Sequence, residues 1–280
     1  MENQAVNEML AKSSCMSEKI GDKLLAVIRG QLTPVRYEAA ERGLVAIGRI
    51  AMIVAALSGL LYGIVSGVKD DQLSPVIEGL AVVVIVVILQ YVAAKFMDVG
   101  ARLLQTSPSE LSSEAFLACI ALIAFLAGVV ALAGGTIQAI RESLWAPFGW
   151  GAALFLVCEL IVCLCLNPSM LSINISAASS AGQEAIGVMT FFIKTLIRVV
   201  PVVFGVCASL GALVMIWAVV QLLRDNFGFE MIISGRTLVA VAGLWPIAAY
   251  LFFIISYLGI DVMRAILALP GKLDALRRDR

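Results

Sequence analysis

The chain contains no histidine. That absence excludes Ser-His and Cys-His nucleophilic catalysis and the two-histidine HExxH zinc site. It also removes the commonest proton shuttle. Charge is scarce too: 14% of the 280 residues are charged, whereas about a quarter is usual in a soluble domain. The 20 basic and 20 acidic residues balance, so there is no basic stripe of the kind nucleic acid requires, and nucleic acid is not an expected partner. The phosphate-cradling GxxxxGK[ST] pattern is missing. The start, "MENQAVNEMLAKSSC", has early acids, no apolar core of a cleavable signal and no glycine placed for myristoylation. Insertion is therefore expected to be directed by the first spanning helix. No polar stretch is long enough to form a catalytic domain. Neither an enzyme nor a cofactor or metal is expected.

Cysteine is present but badly placed for chemistry. Of Cys15, Cys119, Cys158, Cys163, Cys165 and Cys207, five fall inside apolar blocks and none in an outward loop, which argues against a disulfide framework. Cys158, Cys163 and Cys165 are five and two residues apart and scatter around a helix, whereas zinc wants four converging ligands. They read as small apolar fillers.

What the chain has in abundance is hydrophobicity, 61% of residues, gathered in blocks near the twenty residues that cross a bilayer core as a helix. The predicted spans are 45–67, 79–97, 115–135, 149–166, 199–223 and 237–258, which makes an all-α integral membrane protein of six transmembrane helices. Basic residues set its orientation. One side carries Lys12, Lys19, Lys23, Arg29, Arg36, Arg42, Arg49, Lys95, Arg102, Lys194, Arg198, Arg264, Lys272, Arg277, Arg278 and Arg280; the other carries Lys69, Arg141, Arg224 and Arg236. Sixteen against four puts both termini in the cytoplasm, as expected for a bacterial inner-membrane protein. Trp145 and Trp150 then fall at the outer interface, where indoles prefer to lie.

The spans pair into hairpins, 45–97, 115–166 and 199–258, and the hairpins resemble one another. A shift of 72 residues carries Ala55, Gly59 and Gly63 onto Ala127, Ala131 and Gly135, Lys69-Asp70 onto Arg141-Glu142, and Pro75 onto Pro147. The third hairpin matches more loosely, through Arg224-Asp225 and through "IDVMRAIL" against "MDVGARLL". An internal repeat of three hairpins of one orientation is expected. Small residues recur at fourfold spacing: Ala51, Ala55, Gly59, Gly63 and Gly67 in span one, Ala127, Ala131 and Gly135 in span three, and Gly205 with Ser209 and Ala208 with Ala212 in span five. Such faces let helix backbones approach closely where lipid removes the usual hydrophobic drive. The odd-numbered spans are expected to be the tightly packed ones, within one chain or between chains, and bulky even-numbered spans such as "LAVVVIVVIL" are expected to face lipid.

Three regions lie outside the spans. Residues 1–44 form a cytoplasmic segment in which Val6, Met9, Leu10, Met16, Ile20, Leu24, Ile28 and Leu32 trace an amphipathic helix; it ends near "LTPVR", where Pro34 can open the next helix. Its mixed charges suit a sibling subunit or a protein partner better than an anionic lipid surface, or the stripe packs on the chain's own cytoplasmic loops. Residues 172–184, small and polar, read as a linker. "EAIGVMTFFIKTLIR" follows, either a helix lying at the interface or the cytoplasmic end of a long fifth helix. Residues 259–280 form a basic tail.

Glu159 is the remaining anomaly. It is the eleventh residue of an eighteen-residue span, about 2 Å from the midpoint. A carboxylate there costs about 2.5–3.5 kcal/mol to insert. It is the candidate intramembrane proton or ion site; the alternative is a protonated acid bonded to a backbone carbonyl or to a polar neighbour such as Gln90. Gln90 itself is the candidate for an interhelical hydrogen bond. The expected function is a non-catalytic scaffold or accessory subunit, a homo-oligomer or the partner of another membrane protein. A proton- or cation-linked channel or transporter using Glu159 is the alternative.

Overall fold

A computed structural model describes residues 21, 23–30, 33–107, 109–143, 145–175, 181–224 and 229–278. Six helices are long and apolar enough to cross a membrane, so the chain is an integral, multi-pass membrane protein. They are α1 (Pro34–Asp70), α2 (Ser74–Thr106), α3 (Glu114–Glu142), α4 (Ala146–Leu166), α5 (Ala181–Leu223) and α6 (Phe229–Arg278). Each contains one predicted span. Of the amphipathic segment's apolar positions, Leu24 and Ile28 are described, in helical backbone with Ile28 buried. Val6, Met9, Leu10, Met16, Ile20 and Leu32 lie outside the described residues, as does Cys15.

Local chemistry sets the helix ends. α1 begins at Pro34, where a missing N–H is no loss and φ is already helical. It stops at Asp71, whose φ of 51° turns the chain so that Gln72 N–H donates to Gly67 O. α2 and α4 both carry a proline in their first turn. α3 is capped by Ser113, whose hydroxyl accepts from Phe116 N–H at 3.2 Å. Glu114 in its first turn and Arg141 in its last complement the helix dipole. Ser143 then leaves it in the left-handed region.

The chain divides into two compact units. One holds Ser113–Met170, with α3 and α4, together with described residues up to Ala39; the other holds Ala40–Ser112 and the chain from Leu171 onward. In the first unit the α3–α4 contact is extensive. Leu117, Ala121, Ala124 and Gly128 form the buried stripe of α3, and a Cβ at Gly128 would come within 2.9 Å of Cys158 Cβ. In the second unit the core is built from small and medium side chains, among them Met52, Ala55, Ala208, Ala212, Met215 and Ala242. Its exposed exterior is bulky and aliphatic, as at Leu80, Val84, Ile85 and Ile88 of α2.

One expectation is corrected. Burial does not follow odd and even spans: 17% of the α3 window is buried, as in α2, and 39% of the α4 window, as in α1. The sixth helix runs through Pro246 without interruption. The stretch 181–198 belongs to one continuous fifth helix of 43 residues, with Pro201 in its interior. Within the region read as a linker, Ile173–Ile175 forms a strand and Ala181 already opens α5.

That strand, β2, pairs in parallel with β1 (Ser109–Leu111). β1 follows α2 and β2 follows α4, so the pair joins the two points at which the chain leaves and re-enters the second unit around the α3–α4 hairpin.

Candidate functional site

Glu159 sits on α4 in the first unit, partly exposed. Its Oε1 is buried and has no hydrogen-bond partner among the described residues. Gln90 is engaged elsewhere: its Nε2 donates to the carbonyl of Arg49 on α1 at 3.3 Å, a bond between α2 and α1. A buried acceptor without a donor is a cost that a bound proton, a cation or a partner group would relieve.

The small-residue faces lie as follows. Ala51, Ala55, Gly59, Gly63 and Gly67 are all buried on α1. A Cβ at Gly63 would strike the carbonyl of Pro75 and lie 3.0 Å from Gly79 Cα, so no larger residue fits that crossing. Gly205 faces Leu44 O at 2.6 Å by the same measure. Ala208 and Ala212 are core residues, while the hydroxyl of Ser209 turns back to Gly205 O at 2.7 Å. On α3 the register differs: Ala127 is exposed, Ala131 and Gly135 are half-buried, and Gly128 lines the contact with α4. The reason is rotational. The buried stripe passes through Ala124 and Gly128 before reaching Ala131 and Gly135, and Ala127 lies off it.

No known family, curated protein or solved structure matches this chain. The site must be read from its own geometry.

Charge alone groups Lys194 with the basic residues of the cytoplasmic side and gives it no site role, yet its side chain is fully buried. The ammonium donates to Ser109 Oγ at 3.0 Å, Leu171 O at 2.9 Å and Ser172 O at 3.2 Å. All three donor positions are used, so the buried charge is satisfied by oxygens from both strand segments. Ser109 N–H also donates to Ser172 O. Beside it, Ser112 donates both its N–H and its hydroxyl to the carboxylate of Glu184. One turn further along α5, Arg198 pairs with Glu41 of α1 at 2.8 Å, with little of either side chain exposed. The available signal was the company these residues keep: Phe191, Ile193, Thr195 and Ile197 surround Lys194 in sequence and are all buried. Burial covers most of this stretch, although Phe192 and Met189 remain exposed.

The cysteines behave as space fillers in packing: Cys158, Cys163 and Cys165 are buried on α4 and Cys119 is exposed on α3. Trp145 and Trp150 are exposed at the start of α4, with the Trp145 ring edge-on to Phe148 at 6.4 Å.

Proposed function

We propose that this protein is a non-catalytic scaffold or accessory subunit of a membrane complex. The observation that carries the proposal is helix length. α5 has 43 residues and α6 has 50, while about 20 suffice to cross the bilayer core. At about 1.5 Å per residue each helix extends tens of ångströms past the membrane on one side. The buried Lys194 network and the Glu41–Arg198 pair stiffen the start of α5. A rigid helical projection is suited to hold a partner or a sibling subunit. The sixteen-to-four distribution of basic residues supports a cytoplasmic side for that projection and for both termini, and the membrane in this reading is a bacterial inner membrane.

The proposal includes three hairpins of a common design. The crossings support it. A Cβ at Gly63 would meet Pro75 O, and one at Gly135 would meet Pro147 O; a Cβ at Gly79 would meet Gly59 O at 3.1 Å, and one at Gly151 would meet Ala131 O at 2.7 Å. These pairs differ by the same 72 residues seen in the sequence. In the third hairpin a Cβ at Gly235 would meet Gly211 O at 3.1 Å and Met215 stands nearby. Crosslinking in native membranes, followed by mass measurement in lipid nanodiscs, tests the scaffold reading. A defined oligomer or a retained membrane partner is expected; a monomer without partner in both experiments overturns it.

A second reading rests on the unpartnered Oε1 of Glu159: a proton- or cation-linked channel or transporter. Its test is proton and monovalent-cation flux in proteoliposomes. Flux present in the wild type and lost in Glu159→Gln would establish it, and absence of flux from both would remove it for these ions.

A further inference from the structure

The second unit contains a cleft of about 600 Å³ that no function above uses. It lies where four helix ends meet: the last turns of α1 and α5 and the first turns of α2 and α6. Its size falls within the range of small-molecule sites. Its chemistry is mixed in a particular way. Lys69, Asp70, Glu78 and Arg236 line it, two charges of each sign, over an apolar wall of Leu222, Phe229 and Ile232. The helix ends reinforce the separation. The N-termini of α2 and α6 carry partial positive charge, and the C-termini of α1 and α5 carry partial negative charge.

The charged groups differ in how far they are satisfied. Lys69 Nζ donates to Leu222 O at 2.6 Å, across the α5 C-terminus. Asp70 accepts from Ser66 Oγ at 3.1 Å. Arg236 is underused: its nearest carboxylate, Glu78, is 3.9 Å away, and its Nε is buried with no hydrogen-bond partner among the described residues. A guanidinium with so long an ion pair keeps donor capacity that suits a planar or tetrahedral oxyanion. The carboxylates of Glu78 and Asp70 retain acceptor capacity for an ammonium.

We propose that this cleft binds a zwitterion, with its phosphate or carboxylate on Arg236, its ammonium on Glu78 and Asp70, and its apolar part against Phe229 and Ile232. A purely anionic ligand would meet the two carboxylates, and a purely cationic one would meet Arg236 and Lys69. Two sources offer this chemistry: the headgroup of a zwitterionic phospholipid and a free zwitterion from the aqueous side. The site stands independently of the scaffold and transporter readings, because it uses neither Glu159 nor the stretches 181–198 of α5 and 259–278 of α6 that exceed the predicted spans.

The test uses the full chain in detergent, with native mass spectrometry as readout and phosphatidylethanolamine, phosphatidylglycerol and diacylglycerol as probes. Phosphatidylethanolamine is expected to be retained several-fold better than the other two. Arg236→Gln is expected to lower its retention by about tenfold, the usual scale for losing a charge-assisted hydrogen bond. Ser66→Trp, which fills the cleft but leaves its four charges in place, is expected to lower it as well. Arg141→Gln, in the other unit, is expected to change nothing. Free phosphoethanolamine at millimolar concentration separates the sources. Displacement of bound lipid means the headgroup suffices and a soluble zwitterion can occupy the site; no displacement means the lipid tail is required. Equal retention of the three lipids, together with no binding of phosphoethanolamine, overturns the proposal. So does retention that survives both Arg236→Gln and Ser66→Trp when the variants elute as the wild type does.

Discussion

Gly134 and Gly135 are adjacent on α3, and alanine at the two positions should have opposite consequences. A Cβ at Gly134 would meet nothing within 4 Å. Alanine there gains helix propensity, about 1 kcal/mol relative to glycine. A Cβ at Gly135 would lie 2.6 Å from Pro147 O and 3.0 Å from Gly151 Cα. Both are backbone atoms of α4 and have no rotamer by which to yield. A comfortable carbon–oxygen contact is about 3.3 Å, so α3 and α4 must part by roughly 0.7 Å along the line of contact. Overpacking of this kind costs about 1–3 kcal/mol, and the separation also forfeits dispersion contacts along the crossing. The propensity gain is common to both variants. Their difference therefore isolates the crossing and should be about 1–3 kcal/mol, roughly a fivefold to 150-fold shift in the folded-to-unfolded ratio. Reversible unfolding of the two variants in bicelles, titrated with dodecyl sulfate, measures it. If Gly135→Ala is as stable as Gly134→Ala to within about 0.5 kcal/mol, the close crossing of α3 and α4 is not a determinant of this fold. Gly151→Ala addresses the same contact from the other side and should not add to Gly135→Ala, because residues in contact couple.

Further outcomes follow from the network at the start of α5. Lys194→Ala withdraws the donor from Leu171 O and Ser109 Oγ, at about 1–3 kcal/mol for buried acceptors left unsatisfied. Amide exchange should accelerate across 109–112 and 171–175 while 208–215 stays protected; unchanged exchange in the strand pair would show that Lys194 does not hold it. Glu41→Gln and Arg198→Gln form a double-mutant cycle across a 2.8 Å pair that is mostly shielded from water. The coupling should be about 1–2 kcal/mol, above the roughly 0–1 kcal/mol of exposed pairs. A coupling under about 0.5 kcal/mol would place this pair among those surface ion pairs. Ser113→Ala should cost about 1 kcal/mol by removing the cap on Phe116 N–H, read as a lower midpoint in the same unfolding titration; an unchanged midpoint would mean that the N–H finds another acceptor.

The six helices were legible in the sequence because the bilayer imposes them. Every backbone group in hydrocarbon must be satisfied within the segment, so twenty apolar residues in a row leave one structure available. The start at Pro34 was legible for a similarly local reason, the fixed φ and missing N–H of proline, and Pro75 and Pro147, read only as a repeated pair, stand in first turns for the same reason. Glu159 also stood out from sequence alone, since one acid among apolar residues needs no partner to be conspicuous. What tertiary structure decided was which face of each helix is used. Ala127 and Gly128 are one residue apart and equally small, yet one is exposed and the other meets Cys158, because rotation about a helix axis is set by its neighbour and not by its own composition. The same holds for Lys194. Charge placed it in the cytoplasm by a rule about insertion, whereas its burial depends on oxygens supplied from 85 and 23 residues away. The cleft around Arg236 comes from two helix-to-helix turns far apart in sequence, with Lys69 and Leu222 separated by 153 residues. Local periodicity determines that helices form and span; only their assembly determines which polar groups meet.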